Sequence, residues 1–467
     1  MRIRILGQYL QGSLVVLAAI ELAMLGGSML VAVLLRFRVS VPVIETEAGP
    51  LWPRMLVFSL VMIVCLFAFG LYTARQRAPA FGIAVRLLAA VCAGTAVTAL
   101  TFYALPNVWI GRGVMSIAAV VALVGLAVSR YVFTHVVDDD AFKRRVLVYG
   151  CGQRAGSIAN LRRRTDRRGF AVVGYVQPEG EDCTVATQSL IVSGPKLREV
   201  CERYNVDEVV MAMDDRRRSF PLLDLLECRL AGTDVTELLT FLERETGRVR
   251  IDVLNPSWMI FGEGFRRGPM RLFSSRALDL MASLLILIVA SPAMAATAVA
   301  IKLEDGWRAP VLYRQARVGL GGRPFNVLKF RSMRIDAERD GAAQWAQHKD
   351  PRVTRVGAII RKIRVDELPQ ILNVLRGQMS FVGPRPERPE FVAQLAQNIP
   401  YYVQRHCVKP GITGWAQLCY PYGSSEQDAL EKLQYDLYYI KNNTLLFDLT
   451  ILVQTAEVIF MGGRSAR

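Results

Sequence analysis

Two adjacent carboxylates, Asp366 and Glu367, stand where an apolar pattern of helical spacing begins. Pro369 is tolerated only in the first turn of a helix, and Gly377 is a natural helix end, so the pattern predicts a helix that starts at these carboxylates. The free N–H groups and the dipole of such an N-terminus favour anions. An ionised carboxylate there could attack phosphorus or hold Mg²⁺. Taken alone, an ordinary Asp N-cap explains the same pattern better.

Cations that suit phosphate groups lie on both sides of this pair in the sequence. Lys329 and Arg331 point to one face of a predicted strand over 324–333, and such a pair suits a polyanion such as a diphosphate. Scattered surface cations would look the same, so this pair alone leaves both interpretations open. Downstream, Pro384 and Pro386 lock a short loop around Arg385, and a preset Arg is what bidentate phosphate recognition needs.

The chain that must position these residues has the composition of a membrane protein with a basic globular part. Its 467 residues carry a net charge of +16, are 52% hydrophobic and only 21% charged. This high apolar content excludes intrinsic disorder, and the low charged fraction is unlike that of a soluble nucleic-acid-binding protein. Only 8 cysteines are spread over the chain, which excludes a disulfide scaffold. Four apolar stretches over about 14–35, 55–72, 87–105 and 114–133 predict transmembrane helices. Glu21, inside the first, is expected to face the other helices as a packing group.

The distribution of Lys and Arg predicts the orientation of these spans. Arg75, Arg77 and Arg86 lie between the second and third spans, and Arg144 and Arg145 follow the fourth. By the positive-inside rule the N-terminus and everything after the fourth span are expected on the cytoplasmic side. Reduced thiols are expected in that compartment.

The middle region, 141–265, is predicted to be a Rossmann-like α/β domain. A strand is followed by Gly150-Cys-Gly152-Gln-Arg-Ala155 and a helix, which is a variant of the dinucleotide fingerprint. The acidic residue that would hold a ribose is missing at the end of the next strand, where Gln177 and Pro178 stand. We therefore favour a scaffold that binds nothing or serves assembly, such as a homodimer, over an NAD site. The Tyr-x-x-x-Lys pair of nucleotide-sugar dehydratases is absent from the sequence, which disfavours that chemistry.

Another apolar run, over about 277–301, contains Ser291 and Pro292. Proline kinks or breaks a helix, and both flanks of this run are basic, so a single crossing would place one basic flank outside. These features favour a re-entrant helix that dips into the membrane, breaks at Ser291-Pro292 and returns. An ordinary fifth span is the alternative.

The motifs of the last 200 residues together resemble the bacterial sugar transferase family, the monotopic polyprenyl-phosphate phosphoglycosyl transferases. The resemblance is carried by Arg276 and Asp279, Ser291-Pro292, Lys-Phe-Arg-Ser-Met at 329–333, Asp-Glu-Leu-Pro-Gln at 366–370, Gly-Pro-Arg-Pro at 383–386 and Lys-Pro-Gly-Ile-Thr-Gly-Trp at 409–415. The whole chain looks like the long form that initiates exopolysaccharide synthesis. Residues 252–258 are similar to the exosortase-associated branch.

The resemblance implies roles for individual residues. By it, Asp366 is the nucleophile that attacks a UDP-sugar, Glu367 is the Mg²⁺ ligand, and Arg361 and Arg385 contact phosphate. UMP leaves, and undecaprenyl phosphate then accepts the sugar phosphate from the enzyme. The partners implied are a UDP-sugar, undecaprenyl phosphate and membrane lipids, with no nucleic acid, at the cytoplasmic face of the bacterial inner membrane.

The expected fold is therefore a multi-domain membrane protein. It comprises a four-helix transmembrane bundle over 1–140, the α/β Rossmann-like (CoA-binding-like) cytoplasmic domain over 141–265, and a mixed, mainly α catalytic domain over 270–467 with the re-entrant membrane helix. The alternatives are a membrane nucleotide-sugar dehydratase and a non-enzymatic scaffold of a polysaccharide assembly complex.

Overall fold

The structure, a computed structural model, contains two compact units, Met1–Val253 and Leu254–Arg467, which are described separately. The residues described are 2–5, 8–37, 50–72, 80–105, 111–136, 143–161, 166, 169–186, 189–191, 196–215, 220–254, 256–261, 264–265, 268–334, 352–420, 423 and 425–460. Arg75 and Arg77, used in the orientation argument, lie outside these ranges. The division at 140 and 265–270 stays a prediction.

The first unit begins with a short antiparallel hairpin and a bundle of four apolar helices. The hairpin strands are β1 (Arg2–Ile5) and β2 (Gln8–Gln11), and the helices are α1 (Gly12–Phe37), α2 (Trp52–Ala68), α3 (Ala80–Ala104) and α4 (Arg112–Val136). They share one core in which Met29, Phe58 and Leu126 are fully buried. Helices α1, α3 and α4 are long and apolar enough to cross a membrane, whereas α2 is a 17-residue apolar helix. All four predicted stretches are thus helical.

A polar network lies inside this bundle. Glu21 of α1 is 0% exposed and accepts a hydrogen bond of 2.9 Å from Nη2 of Arg130 of α4. Tyr72 donates to the same carboxylate, and Nη1 of Arg130 donates to the carbonyl of Leu71 at 3.0 Å. The expectation that Glu21 faces the other helices is confirmed, and its charge is paired there as a membrane interior requires.

The rest of the first unit is a five-stranded, wholly parallel sheet in the order β5-β4-β3-β6-β7. A parallel sheet needs helical crossovers that cover its faces. Its strands are β3 (Arg144–Tyr149), β4 (Phe170–Val176), β5 (Leu190–Ile191), β6 (Glu208–Met211) and β7 (Asp234–Glu237), and the helices are α5 (Gln153–Ala159), α6 (Leu197–Arg203), α7 (Leu222–Leu230) and α8 (Leu238–Thr246). Valines of β3 and β6 are buried against these helices.

Two cysteines of this unit are joined. Cys151, in the glycine-rich turn, and Cys183, in the loop after β4, form a disulfide with their Cα atoms 4.8 Å apart. The expectation of reduced thiols is wrong for this pair, because the loop after β4 folds back over the turn. The other six cysteines, Cys65, Cys92, Cys201, Cys228, Cys407 and Cys419, are not joined by disulfides.

The second unit is mainly helical and contains two small sheets. Strands β8 (Leu312–Val318) and β9 (Pro324–Phe330) pair antiparallel, and β10 (Ser380–Val382) pairs parallel with β11 (Gly411–Thr413). The helices are α9 (Pro256–Phe261), α10 (Pro269–Asp305), α11 (Arg355–Lys362), α12 (Gln370–Leu375), α13 (Pro389–Asn398), α14 (Trp415–Cys419), α15 (Glu426–Asn442) and α16 (Leu445–Phe460). The 3₁₀ turns of this unit cover Leu320–Gly322, Val365–Glu367 and Tyr402–Cys407, and a further 3₁₀ turn, Ile251–Val253, ends the first unit.

Helix α10 is the fourth helix that is long and apolar enough to cross a membrane. The predicted break at Ser291-Pro292 does not interrupt this helix, which continues through Pro292, so any change of direction there is a bend within one helix. Its middle is exposed at Leu285, Ile288 and Val289, whereas residues near both ends are buried against the second unit.

Candidate active site

Asp366 and Glu367 lie in the 3₁₀ turn that directly precedes α12. Arg364 enters this turn in the left-handed conformation with φ 62°, and α12 itself begins at Gln370. The predicted helix start is therefore three residues early, because a 3₁₀ turn comes first. Asp366 is 8% exposed, and its Oδ1 atom has no hydrogen-bond partner among the described residues.

Glu367 is held by two cations from distant parts of the chain. Nζ of Lys329 on β9 donates to its Oε1 at 2.9 Å, and Nη2 of Arg385 lies 3.5 Å from the same atom. Burial opposes ionisation of Glu367, but Lys329 and Arg385 outweigh it and lower its pKa to about 2. Glu367 is therefore a permanent anion at neutral pH.

Asp366 has the opposite shift. Burial, followed by repulsion from Glu367, raises the pKa of Asp366 above its usual range. Lys329, Arg361 and Arg364 oppose this effect. The pair thus combines a strongly ionised carboxylate with a neighbour that has an unpartnered oxygen and stronger basicity, an arrangement suited to a nucleophile.

The two cations of the predicted strand engage different carboxylates. Lys329 reaches Glu367, but Arg331 follows the last residue of β9, is 6% exposed and pairs with Asp305 at the end of α10 at 2.7 Å. The two side chains thus bind different carboxylates, and their binding of one diphosphate stays a prediction. The Nε and Nη1 atoms of Arg331 have no partner among the described residues.

Arg361, on α11, is one of the cations whose charge lowers the pKa of Asp366. Its Nε donates to Oγ of Ser332 at 3.0 Å. The N-terminus of α11 is capped by Thr354, and the carboxylate of Glu304 on α10 accepts from the amides of Arg355 and Val356 at 2.8 and 3.1 Å. The membrane-type helix α10 thereby fixes the helix that carries Arg361.

Arg385 projects from the loop between β10 and α13, where Pro384 and Pro386 flank it. Its side chain is 37% exposed, which leaves room for a ligand beside Glu367. The loop leaves β10 at Gly383, whose amide donates to the carbonyl of Thr413 at 2.9 Å. A Cβ atom at Gly383 would lie 2.4 Å from the carbonyl oxygen of Lys409, so this close approach requires glycine.

Several supporting residues were not singled out from the sequence. Asn373 is fully buried on α12, accepts from the amide of Leu328 at 3.0 Å and donates to the carbonyl of Asn326 at 2.7 Å. Arg364 and Arg405 also belong to the site's frame. A buried Asn or Arg has no local signature, whereas the Arg-x-Asp-Glu spacing could have pointed to Arg364.

The beginning of α10 is fastened to the same elements. Arg276 donates to the carbonyls of Val374 and Leu375 at 2.6 Å each, which satisfies the C-terminal end of α12. Asp279 is buried and accepts from Oγ of Ser380 at 2.9 Å and from the amide of Phe381 at 3.0 Å. Both residues were among those carrying the family resemblance.

The carboxylates fit a Mg²⁺ ion that is shared with a phosphorylated substrate. Among the described residues there is no group of three His, Cys, Asp or Glu that could hold a metal by protein ligands alone. Mg²⁺ is commonly bound by one or two carboxylates together with substrate phosphates, which matches an ionised Glu367 beside the unpartnered oxygen of Asp366.

The glycine-rich turn of the first unit is filled by the chain's own carboxylates. Asp214 accepts from the amides of Gln153 and Arg154 at 2.8 Å each, and Oε1 of Glu181 accepts from the amide of Gly152 at 3.2 Å. These amides are the ones that a dinucleotide pyrophosphate would use. The arrangement favours the scaffold interpretation over dehydratase chemistry at this turn.

Comparisons with known proteins give concordant results. A family model described as "Bacterial sugar transferase" matches residues 270–462. The chain is 30% identical over 495 aligned residues to the UDP-glucose:undecaprenyl-phosphate glucose-1-phosphate transferase of Xanthomonas campestris pv. campestris, covering 99% of this chain and 96% of the relative.

Two other relatives match shorter parts of the chain. Identity is 45% over 238 residues with the UDP-N-acetylgalactosamine-undecaprenyl-phosphate N-acetylgalactosaminephosphotransferase of Aeromonas hydrophila, covering 51% of this chain. That match spans only 55% of the relative's length. Identity is 41% over 192 residues with the exopolysaccharide production protein PSS of Rhizobium leguminosarum bv. phaseoli, covering 40% of this chain and 94% of the relative.

Proposed function

Because this chain belongs to the bacterial sugar transferase family, we propose that it transfers a sugar 1-phosphate from a UDP-sugar to undecaprenyl phosphate and releases UMP. The observation that carries the proposal is the Asp366–Glu367 pair, in which Glu367 is held by Lys329 and Arg385 and Asp366 keeps an unpartnered oxygen. The product, an undecaprenyl-diphosphate-sugar, would begin exopolysaccharide assembly, in keeping with the name of the Rhizobium relative.

In the proposed first step, a carboxylate oxygen of Asp366 attacks the sugar-linked phosphorus. A bond forms between this oxygen and phosphorus, the phosphoanhydride bond breaks, and UMP leaves. In the second step an oxygen of undecaprenyl phosphate attacks the same phosphorus, the bond to Asp366 breaks, and the carboxylate is regenerated. Splitting the transfer in this way avoids bringing two bulky anions together at once.

The cations around the pair would bind and orient the substrate. Arg361 and Arg385 would contact phosphate oxygens, and Lys329 favours the ionised form of Glu367. Glu367 would hold Mg²⁺, which when bound would offset the charge of the diphosphate and of the departing UMP.

We further propose that α10 is re-entrant and that the second unit lies at the cytoplasmic face of the inner membrane. Arg276 and Asp279 at one end of α10, and Glu304 and Asp305 at the other, all bind elements of the same compact unit. A helix fastened at both ends to one unit, with an exposed apolar middle around Pro292, suits a dip into one leaflet. The strand order of the parallel sheet supports the Rossmann-like assignment of the first unit.

A UMP-release assay with the full chain in membranes tests the function. A panel of UDP-sugars with undecaprenyl phosphate should give turnover with a preferred sugar, including UDP-glucose and UDP-N-acetylgalactosamine as candidates from the relatives. Without the lipid acceptor, labelled sugar phosphate should remain covalently attached to the protein.

The matched variants are Asp366→Asn and Glu426→Gln, an exposed carboxylate of the same unit. Asp366→Asn should abolish both turnover and covalent labelling, and Glu426→Gln should retain them. Turnover that survives in Asp366→Asn would contradict the nucleophile assignment. Exopolysaccharide that is lost on deletion and restored by Asp366→Ala would favour a scaffold instead.

A further inference from the structure

The backbone of the Arg385 loop is held at four successive carbonyl groups. Each accepts a hydrogen bond from β8, from β11 or from the 3₁₀ turn Tyr402–Cys407. The donors are the amide of Gly411 to Pro384 at 2.9 Å, Nη2 of Arg405 to Arg385 at 3.0 Å, Nη1 of Arg317 to Pro386 at 3.2 Å, and the amide of Val318 to Glu387 at 3.0 Å. The position from which Arg385 reaches Glu367 is thus set by partners far away in the sequence.

Arg405 is the residue that holds the carbonyl of Arg385 itself. It is 6% exposed, and the same Nη2 atom donates to Oδ2 of Asp436 on α15 at 2.9 Å. Its Nη1 atom donates to the hydroxyl of Tyr402 at 2.7 Å, and its guanidinium lies over that ring. A planar guanidinium can reach these three acceptors from one place, whereas a Lys ammonium has no such fork.

A buried ion pair of this kind is weak support for stability by itself. The cost of removing both charges from water offsets much of their attraction, and well-packed apolar side chains often replace such a pair without loss. What apolar side chains cannot replace is a charged donor aimed at the Arg385 carbonyl and anchored to α15. The ion pair of Arg405 and Asp436 therefore fixes the position of the Arg385 backbone in a way that apolar packing alone would not.

We propose that Arg405 and Asp436 are positioning residues for the transfer reaction: they fix the backbone of Arg385 so that its side chain meets both Glu367 and the substrate phosphate. The inference rests on the proposed function. Neither residue contacts Asp366 or Glu367 in the described hydrogen-bond and ion-pair network, so their effect must pass through Arg385.

A double-mutant cycle on the full chain tests this pathway through kcat and KM for UMP release. Arg405→Lys should lower kcat about tenfold in the wild-type background. In the Arg385→Ala background the same change should lower kcat less than about twofold, because the group that Arg405 positions is already gone. Equal fold losses in the two backgrounds would overturn the proposal.

Asp436→Asn provides a second variant that keeps the shape of the side chain and an acceptor oxygen. It should follow the same pattern with a smaller loss, and thermal unfolding of every variant shows whether the fold is retained. Arg244→Lys is the matched control, since Arg244 is also buried in an ion pair, with Glu208 at 2.8 Å in the other unit. The fold change in kcat caused by Arg244→Lys should be the same in the wild-type background and in the Arg385→Ala background. Absence of UMP release by the wild type would defeat the proposed function, whereas an additive cycle in an active enzyme would defeat only this inference.

Discussion

Asp366 and Glu367 are neighbours in the chain, but their surroundings drive their pKa values in opposite directions. Lys329 and Arg385 hold Glu367 as an anion, while burial and the charge of Glu367 make Asp366 harder to ionise. Pairs of carboxylates with divergent pKa values commonly divide the tasks of a reaction between them. Here Glu367 would be the constant anion that binds the metal, and Asp366 would supply the more basic oxygen that attacks phosphorus.

The pH dependence of transfer should reveal this coupling. The proposed attack by Asp366 needs its ionised form, so kcat/KM should fall as the pH drops through its raised pKa. Lys329→Gln removes a cation that lowers the pKa of both Asp366 and Glu367, so the acid limb of the profile should move to higher pH. The measurement is UMP release against pH, with Lys302→Gln as a control that leaves the limb in place. A limb that stays put or moves down in Lys329→Gln would refute the coupling.

At the scale of elements, Asn373 joins the strand that carries Lys329 to the helix that follows the two carboxylates. Its amide group accepts from the buried amide of Leu328 and donates to the carbonyl of Asn326 and the side chain of Gln378, which are partly buried contacts. The distance between Lys329 and Glu367 therefore depends on a side chain that touches neither of them.

Replacing this amide should cost both stability and activity. Asn373→Ala leaves the buried amide of Leu328 and the partly buried carbonyl of Asn326 without this partner, and we expect a loss of about 3 kcal/mol in the free energy of unfolding. Thermal and denaturant unfolding of the purified chain would measure it. Asn398→Ala, on an exposed helix end, should change stability by less than about 0.5 kcal/mol. A tolerated Asn373→Ala would mean that β9 and α12 are held by apolar packing.

The two flanks of α10 should be accessible from the same side of the membrane. Single cysteines at Met270 and Trp307, which are 77% and 73% exposed, provide probes at its two ends. In inside-out vesicles both should react with a membrane-impermeant maleimide beyond the background of the native thiols, and in right-side-out vesicles neither should. Opposite labelling of the two positions would establish an ordinary fifth span.

At the scale of the whole molecule, the two candidate ligand sites differ in whether their polar groups are already occupied by the chain itself. The carboxylate site has an unpartnered oxygen and exposed cationic surface, whereas the glycine-rich turn of the sheet is closed by Asp214 and Glu181. The basic balance of +16 also suits an enzyme whose substrates are phosphates beside an anionic leaflet.

The closed turn predicts that the sheet takes no direct part in transfer. Asp214→Ala removes a carboxylate that caps two amides and should destabilise the chain by about 1 kcal/mol. It should leave the KM for the UDP-sugar unchanged, and wild-type protein should show no NADH binding by fluorescence titration. A raised KM in Asp214→Ala, or NADH bound by the wild type, would return the turn to consideration as a substrate or cofactor site.

The sequence by itself determined the apolar helices, the parallel-sheet pattern around Gly150 and the adjacency of Asp366 and Glu367, because these features depend on spacing within one segment. Only the tertiary structure decided that Lys329 serves Glu367 while Arg331 turns to Asp305, that Cys151 meets Cys183, and that Asp214 closes the glycine-rich turn. Each of these joins residues that are separated by tens of positions. Ion pairs, disulfides and buried hydrogen bonds between such residues follow from how whole elements pack, and no local pattern of side chains specifies that packing.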